Sequence, residues 1–248
     1  LRKDAVKPMM EQKIYFNGCS YTFGQSLELY CNPIEKFEVD RMSKYVFTKD
    51  DLNFIKNNRW TNRISIELNN IENNYSINGN ANGRILYDLK NYLKSTPMHE
   101  VKYFVIQLTH FERFFSSKNF QWFPHIDSMR NHVKCGLMTL EEQEYTISNI
   151  EKIQMEYYLE LIDIFKNHPQ KLKILFWSNE WKDILSIDEM SKFGISIDGE
   201  YLIEDWAHKN NLCINQDEKF LNSNVVSRDT HLSLKGHEII ANKIIEQL

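Results

Sequence analysis

Ile14-Tyr15-Phe16-Asn17-Gly18-Cys19-Ser20-Tyr21-Thr22-Phe23-Gly24 is an apolar run that breaks at Gly18-Cys19-Ser20 and stops at a second glycine. A short strand followed by a sharp turn puts the Ser20 hydroxyl at the carboxyl end of a sheet, beside the first turn of a helix. That is where α/β proteins place reacting groups. A serine hydroxyl must lose its proton as it attacks, so it requires a histidine and a carboxylate from elsewhere. The far end of the chain holds both, in Asp229-Thr230-His231. In an extended segment residues i and i+2 point the same way, which places the Asp229 carboxylate to accept the Nδ1 proton of His231 and fix its tautomer. Asp217 is the competing acid.

Two further stretches complete a pattern. Asn78-Gly79-Asn80-Ala81-Asn82-Gly83-Arg84-Ile85 sets a glycine among small polar residues before a helix, and His231-Leu232-Ser233-Leu234-Lys235-Gly236-His237-Glu238-Ile239-Ile240-Ala241 leads from a histidine into an apolar helix. Together with Gly18-Cys19-Ser20-Tyr21-Thr22-Phe23-Gly24 these blocks, in this order, resemble the SGNH (GDSL-type) hydrolases. The third block of that family, Gly-x-Asn-Asp after a strand, is matched more weakly by Thr109-His110-Phe111-Glu112-Arg113, which follows Tyr103 to Leu108. The resemblance spans nearly the whole chain.

It implies a flavodoxin-like three-layer α/β/α sandwich around a parallel five-stranded sheet. It also implies that Ser20 is the nucleophile, His231 the general base and Asp229 its orienting acid. The oxyanion of the tetrahedral intermediate would be held by the backbone N–H groups of Ser20 and Gly79 and by Thr109, which stands where the family has an asparagine side chain. Asn82, one helical turn from Gly79, is the alternative amide donor. Three departures stand out: Cys19 replaces the aspartate that supports the family's turn, Arg228 occupies the usual position of the acid three residues before the histidine, and Thr109 replaces the asparagine. An Asp-x-His spacing also occurs in related polysaccharide O-acetyltransferases, but there the pair precedes the serine.

Strand and helix patterns alternate along the rest of the chain, as a parallel sheet covered on both faces requires. After the first strand, 27–58 reads as a loop insertion over the site, with a helix from about Arg59 to Asn69 marked by Trp60, Ile64 and Leu68. Asn74 to Ile77 reads as the second strand. A helix carrying Ile85, Leu89 and Leu93 follows and is stopped by Pro97. Val101 to Leu108 is the third strand. A second insertion, 109–140, is rich in aromatic residues, of which Phe111 and Trp122, with Arg113 and His125, are candidates for contacting a sugar ring and its hydroxyls. A single helix is expected from about Leu140 to Asn167, with Ile150, Ile153, Tyr157 and Leu161 inward. Leu172 to Trp177 is the fourth strand, Ile203 to Lys209 a helix, Leu212 to Ile214 a fifth strand and Leu234 to Leu248 the closing helix.

At 248 residues the chain fits one α/β domain with insertions, 1–248, able to bury a sizeable core. A net charge of −4 with acids and bases interspersed argues against a nucleic-acid partner. No apolar stretch approaches the roughly 20 residues of a membrane helix. The four cysteines, Cys19, Cys31, Cys135 and Cys213, show no Cys-x-x-Cys spacing and suit free thiols in a reducing compartment. Leu1 to Lys7 lacks the apolar core of a signal peptide, so a cytoplasmic location is expected, with 1–10 read as a tag, linker or disordered extension and Met9 or Met10 as a candidate start. The function expected is a serine esterase cleaving small acyl esters, acetyl first, on a carbohydrate or other small-molecule substrate, without metal or cofactor. An O-acyltransferase acting on a glycan and a noncatalytic carbohydrate-binding or structural module are the alternatives.

Overall fold

β1 (Lys13–Asn17) sets Ile14 and Phe16 against one face of the sheet and Tyr15 against the other. The same two-residue period runs through β3 (Val101–Leu108), where Val105 opposes Phe104 and Ile106, and through β6 (Leu172–Phe176), where Leu175 opposes Ile174 and Phe176. Both faces are therefore apolar. A sheet of this kind is stable only when helices cover both sides.

The computed structural model describes residues 12–31, 47–116, 121–123, 138–221 and 229–248, with 129, 133–134, 136, 223 and 227 between them; the side chains of 114, 116 and 121–123 are outside this set. The strands pair in the order β2-β1-β3-β6, all parallel, with β2 spanning Ile71–Asn74. A separate antiparallel hairpin, β4 (Phe114–Ser116) and β5 (Gln121–Phe123), lies within the second insertion. The helices in chain order are α1 (Ser20–Phe23), α2 (Lys49–Asn58), α3 (Trp60–Glu67), α4 (Asn82–Ser95), α5 (Leu140–Ser148), α6 (Ile150–Ile164), α7 (Ile187–Ser191), α8 (Ile203–Lys209) and α9 (Leu234–Ile245). Helices α3, α8 and α9 bury Trp60, Ile64, Ile203, Trp206, Ile240 and Ile244 against the Ile14/Phe16 face. On the opposite face α4 and α6 bury Ile85, Leu89, Tyr158, Leu161 and Phe165. This is the expected three-layer α/β/α sandwich.

Several elements differ from their sequence reading. Among the described residues the sheet has four strands, not five. The segment Leu212 to Ile214 makes only an isolated antiparallel bridge, Cys213 to Leu232, and Ile214–Gln216 then winds into a 3-10 turn. Its backbone is committed to the last block instead of to β6: Ile214 N–H donates to His231 O at 2.7 Å, and Ser233 N–H to Leu212 O at 2.8 Å. The second strand is Ile71–Asn74 and not Asn74 to Ile77. It is an edge strand whose only large apolar residue, Ile71, is exposed, so no alternation marked it.

The first insertion contains α2, which begins at a capping box in which Thr48 and Asp51 bond each other's backbone N–H groups. The long helix divides at Asn149 into α5 and α6. On α6 Leu161 is buried as expected and Ile150 and Tyr157 pack partly buried against the same core, while Gln154 and Tyr158 are buried beside them, Gln154 held there by hydrogen bonds. Among the described residues no helix is long and apolar enough to cross a membrane.

His237 in α9 is fully buried, and its Nδ1 accepts the backbone N–H of Trp60 at 3.3 Å. Burial, with Arg63, His231 and Arg59 nearby, pushes its pKa from 6.5 down to about 3, so the folded chain holds it neutral. The unfolded chain protonates it near 6.5, and the stability its neutral form contributes, complete above that pH, is lost as pH falls toward 3. Urea denaturation should show the wild type losing about 2 kcal/mol more than His237→Gln between pH 7.5 and pH 5. Parallel losses in the two proteins would show that His237 does not set this dependence.

Candidate active site

Ser20 is the first residue of α1, a single turn closed by Gly24 in the left-handed region at φ 93°. The turn is short because Gly24 N–H and Gln25 N–H both bond to Ser20 O, at 2.9 and 3.0 Å. The first N–H groups of a helix have no intrahelical partner, which leaves that of Ser20 to an external acceptor. The β1–α1 turn is fixed from across the sheet by Gln107, whose Oε1 accepts Cys19 N–H at 3.3 Å and also the Thr22 hydroxyl. Gly18 permits this contact, since a Cβ there would sit 2.3 Å from Thr22 Oγ1 and 2.7 Å from Gln107 Oε1.

Asp229 and His231 are joined as their spacing suggested. His231 Nδ1 lies 2.5 Å from Asp229 Oδ1, and the backbone N–H of His231 donates to the same oxygen at 2.9 Å. The other carboxylate oxygen accepts the Ser26 hydroxyl at 2.6 Å. Burial would raise the Asp229 pKa, but the charge and hydrogen bond of His231, with that of Ser26, hold it below the usual carboxylate value. With Nδ1 donating to Asp229, Nε2 is left as an acceptor. It is buried and has no hydrogen-bond partner among the described residues. Asp217 is elsewhere, accepting the Tyr30 hydroxyl at 2.5 Å.

The histidine stands beside the serine turn. Tyr21, the residue after Ser20, stacks on His231 with ring centroids 4.6 Å apart and on Trp177 at 3.8 Å, and its hydroxyl is 3.0 Å from Thr230 Oγ1. Ser20 itself is 2 % exposed, and its Oγ lies 4.0 Å from Cys19 Sγ, turned away from hydrogen-bond contact with the imidazole. Catalytic hydrogen bonds in unliganded sites are often open in this way and close in the substrate complex.

The proposed oxyanion donors divide. Gly79 forms the turn before α4 with φ 69°. Its neighbour Asn80 ties that turn to the first block, donating to Gly18 O at 3.0 Å. Thr109 follows the last residue of β3, and its hydroxyl oxygen accepts Arg113 Nη1 at 3.0 Å. Asn82 is otherwise engaged. Its Oδ1 accepts Thr109 N–H at 2.8 Å, and its Nδ2 donates to Thr109 O at 3.2 Å and to Gln154 Oε1 at 2.8 Å. Both amide hydrogens are used, so Asn82 is a brace between α4, β3 and α6 and not a free donor.

Of the expected substrate contacts, Phe111 is buried in an edge-on contact with Trp181 at 4.8 Å, which is a packing role. Arg113 is half-buried beside the site. The Trp122 side chain and His125 lie outside the described residues. The residues missed from sequence are mostly polar ones that brace the turns: Ser26, Asn80, Gln107 and Gln154. A lone glutamine in the apolar run Val105-Ile106-Gln107-Leu108 was a usable signal; Ser26 had none.

No family model matches the chain, and no curated protein matches its sequence. Solved structures similar to it include a member of the lipolytic G-D-S-L family from Veillonella parvula, at 9 % identity and TM-score 0.39 over 95 % of this chain and 97 % of that one. Another is a putative GDSL-like lipase from Parabacteroides merdae, at 14 % identity and TM-score 0.36 over 95 % and 94 %. A third is a catalytic mutant of an acetylxylan esterase from Geobacillus stearothermophilus, at 15 % identity and TM-score 0.32 over 95 % and 93 %.

The Asn82 brace makes a measurable claim. Asn82→Leu should destabilise the fold by about 2 to 3 kcal/mol, because Thr109 N–H and the Gln154 carbonyl would be left buried without partners. A melting temperature within a degree of wild type would return the Asn82 amide to the list of free donors.

Proposed function

We propose that the chain is a serine-dependent hydrolase of small acyl esters, acting through an acyl-enzyme on Ser20. The observation that carries this reading is the His231 ring, which donates to Asp229 on one side and on the other presents a buried Nε2 without a partner among the described residues, beside the Ser20 turn. A buried acceptor left unsatisfied costs about 1 to 3 kcal/mol. A reacting hydroxyl is the partner it lacks.

In this reading Ser20 Oγ attacks the ester carbonyl carbon as its proton passes to His231 Nε2, forming a tetrahedral oxyanion. Asp229 stabilises the imidazolium without taking its proton. The backbone N–H groups of Ser20 and Gly79 and the Thr109 hydroxyl, whose oxygen already accepts from Arg113, are the donors assigned to the oxyanion. Collapse returns the proton from His231 to the leaving alcohol and leaves an ester on Ser20. Water, deprotonated by the same histidine, then attacks that ester and releases the acid and the free serine. The crowding of a nearly inaccessible Ser20 beside the Tyr21–Trp177 stack favours a short acyl group, acetyl foremost. The polar side chains Arg113, His110 and Glu204 nearby favour a hydroxyl-bearing alcohol such as a sugar.

Ser20→Ala should abolish both hydrolysis of 4-nitrophenyl acetate and covalent labelling by a fluorophosphonate, with the adduct in wild type found on Ser20 by mass spectrometry. Asp229→Asn should lower turnover by about 10³ to 10⁴. Ser20→Ala/His231→Ala should be little worse than either single variant, since residues acting as one unit do not contribute additively. Undiminished turnover in Ser20→Ala would remove the serine from the mechanism.

A further inference from the structure

His110 and Glu204 form a second group of titratable side chains beside the site, and the ester-hydrolysis mechanism does not use them. His110 follows β3 and Glu204 begins the second residue of α8. The His110 ring lies between two carboxylates, with Nδ1 3.9 Å from Glu180 Oε2 and Nε2 3.9 Å from Glu204 Oε1. Neither separation is a hydrogen bond. The group adjoins the catalytic histidine: Glu204 N–H donates to Trp177 O at 3.1 Å, Trp177 stacks on Tyr21, and Tyr21 stacks on His231.

The two glutamates are not equivalent. Glu180 is structural, since its Oε2 accepts Phe111 N–H and the Ser178 hydroxyl, both at 2.8 Å. The Glu204 carboxyl makes no hydrogen bond among the described residues, although its side chain is only 23 % exposed. A carboxyl that is mostly withdrawn from water, unbonded and beside a reacting centre is more costly than a solvated one, and a ligand hydroxyl would offset that cost. Burial, with the neighbouring charges of Asp205 and Glu180 outweighing that of Arg113, pushes its pKa up to about 7. Burial, helped by Arg113 and His231, pushes His110 down to about 4, so its ring is a neutral donor and acceptor at neutral pH.

We propose that Glu204, with His110 and Arg113 beside it, recognises the alcohol side of the substrate by hydrogen-bonding hydroxyl groups of a polyol such as a sugar. This rests on Ser20 being the nucleophile of an ester hydrolase, and it assigns the specificity of that site. Arg113 retains guanidinium N–H groups beyond the one given to Thr109, so the three side chains present donors and acceptors together. A lipid alcohol has nothing to match them. Sites built to bond a hydroxyl discriminate strongly against substrates that lack it.

The test compares a mono-O-acetylated methyl glucoside with 4-nitrophenyl acetate. In Glu204→Leu the ratio of kcat/KM for the sugar ester to that for the aryl ester should fall about tenfold or more, mainly through KM of the sugar. The pH dependence supplies a second readout. The groups that face Glu204 are Asp205 on its own helix, Glu180, His110, Arg113, Tyr21 and Cys213. KM for the sugar ester should change through pH 7 in wild type and be flat there in Glu204→Gln, a change that a purely structural role would not produce. An unchanged substrate ratio, or equal losses on both esters, overturns the assignment. Failure of the underlying reading looks different: wild type would take no fluorophosphonate on Ser20 and would hydrolyse neither ester. In that case binding of methyl glucoside to the Ser20→Ala protein, followed by NMR, still decides the inference. Loss of binding in Ser20→Ala/Glu204→Leu supports it, and no binding or no loss overturns it.

Discussion

The geometry of the candidate site depends on one buried side-chain amide. Gln107 lies on the central strand β3, 1 % exposed, and its Oε1 takes the Cys19 N–H and the hydroxyl of Thr22 on the adjacent strand's outgoing turn. This holds α1 against β3, and with it the first residue of α1, Ser20. The contact requires a residue without a side chain at Gly18, because Thr22 and Gln107 already fill the space a Cβ would take. It also explains how the turn holds with Cys19, and not a carboxylate, before Ser20. The turn is supported by an acceptor that reaches across from the neighbouring strand, so it no longer needs one of its own.

Other amides repeat the device at the remaining turns. Asn80 fastens the second turn to Gly18, and Asn82 with Gln154 fastens α4 to Thr109 and α6. Amides suit this work because each carries donors and acceptors without charge, so it can be buried at little cost where its groups are paired, as those of Asn80, Asn82 and Gln154 are; Gln107 meets the condition only at Oε1, its Nε2 having no partner among the described residues. The same requirement accounts for the buried polar residue on α6. Gln154 sits in the apolar layer with both ends of its amide paired, Oε1 accepting Asn82 Nδ2 and Nε2 donating to Phe111 O.

The layered fold was legible because burial on both faces of a parallel sheet demands apolar residues on both faces of its strands, and β1, β3 and β6 supply them. Edge strand β2 is paired on one side only and is largely polar, so its sequence carried no such mark. Leu212 to Ile214 looked like a strand because its apolar residues are buried, but burial does not name the backbone partner. The Asp229–His231 contact was legible because it is local, two residues apart on an extended backbone. The bracing residues and the Glu204 group were not, since each depends on contacts between segments far apart in the chain: Ser26 with Asp229, Asn80 with Gly18, His110 with Glu204.

Two histidines six residues apart in one motif show how far environment, and not residue type, assigns a role. His237 accepts a backbone N–H at Nδ1 and is buried in α9 against α3. It is thereby held neutral and points into packing. His231 has the reverse arrangement, with Asp229 on Nδ1 and an acceptor left at Nε2. What holds Asp229 in place is itself distributed: Ser26 donates to one carboxylate oxygen, the His231 backbone to the other, and the adjoining segment binds the backbone, with Asn215 N–H donating to Asp229 O, Ile214 N–H to His231 O, and Leu212 O accepting Ser233 N–H. The stretch that failed to join the sheet as a fifth strand is thus the one that fixes the Asp-x-His segment.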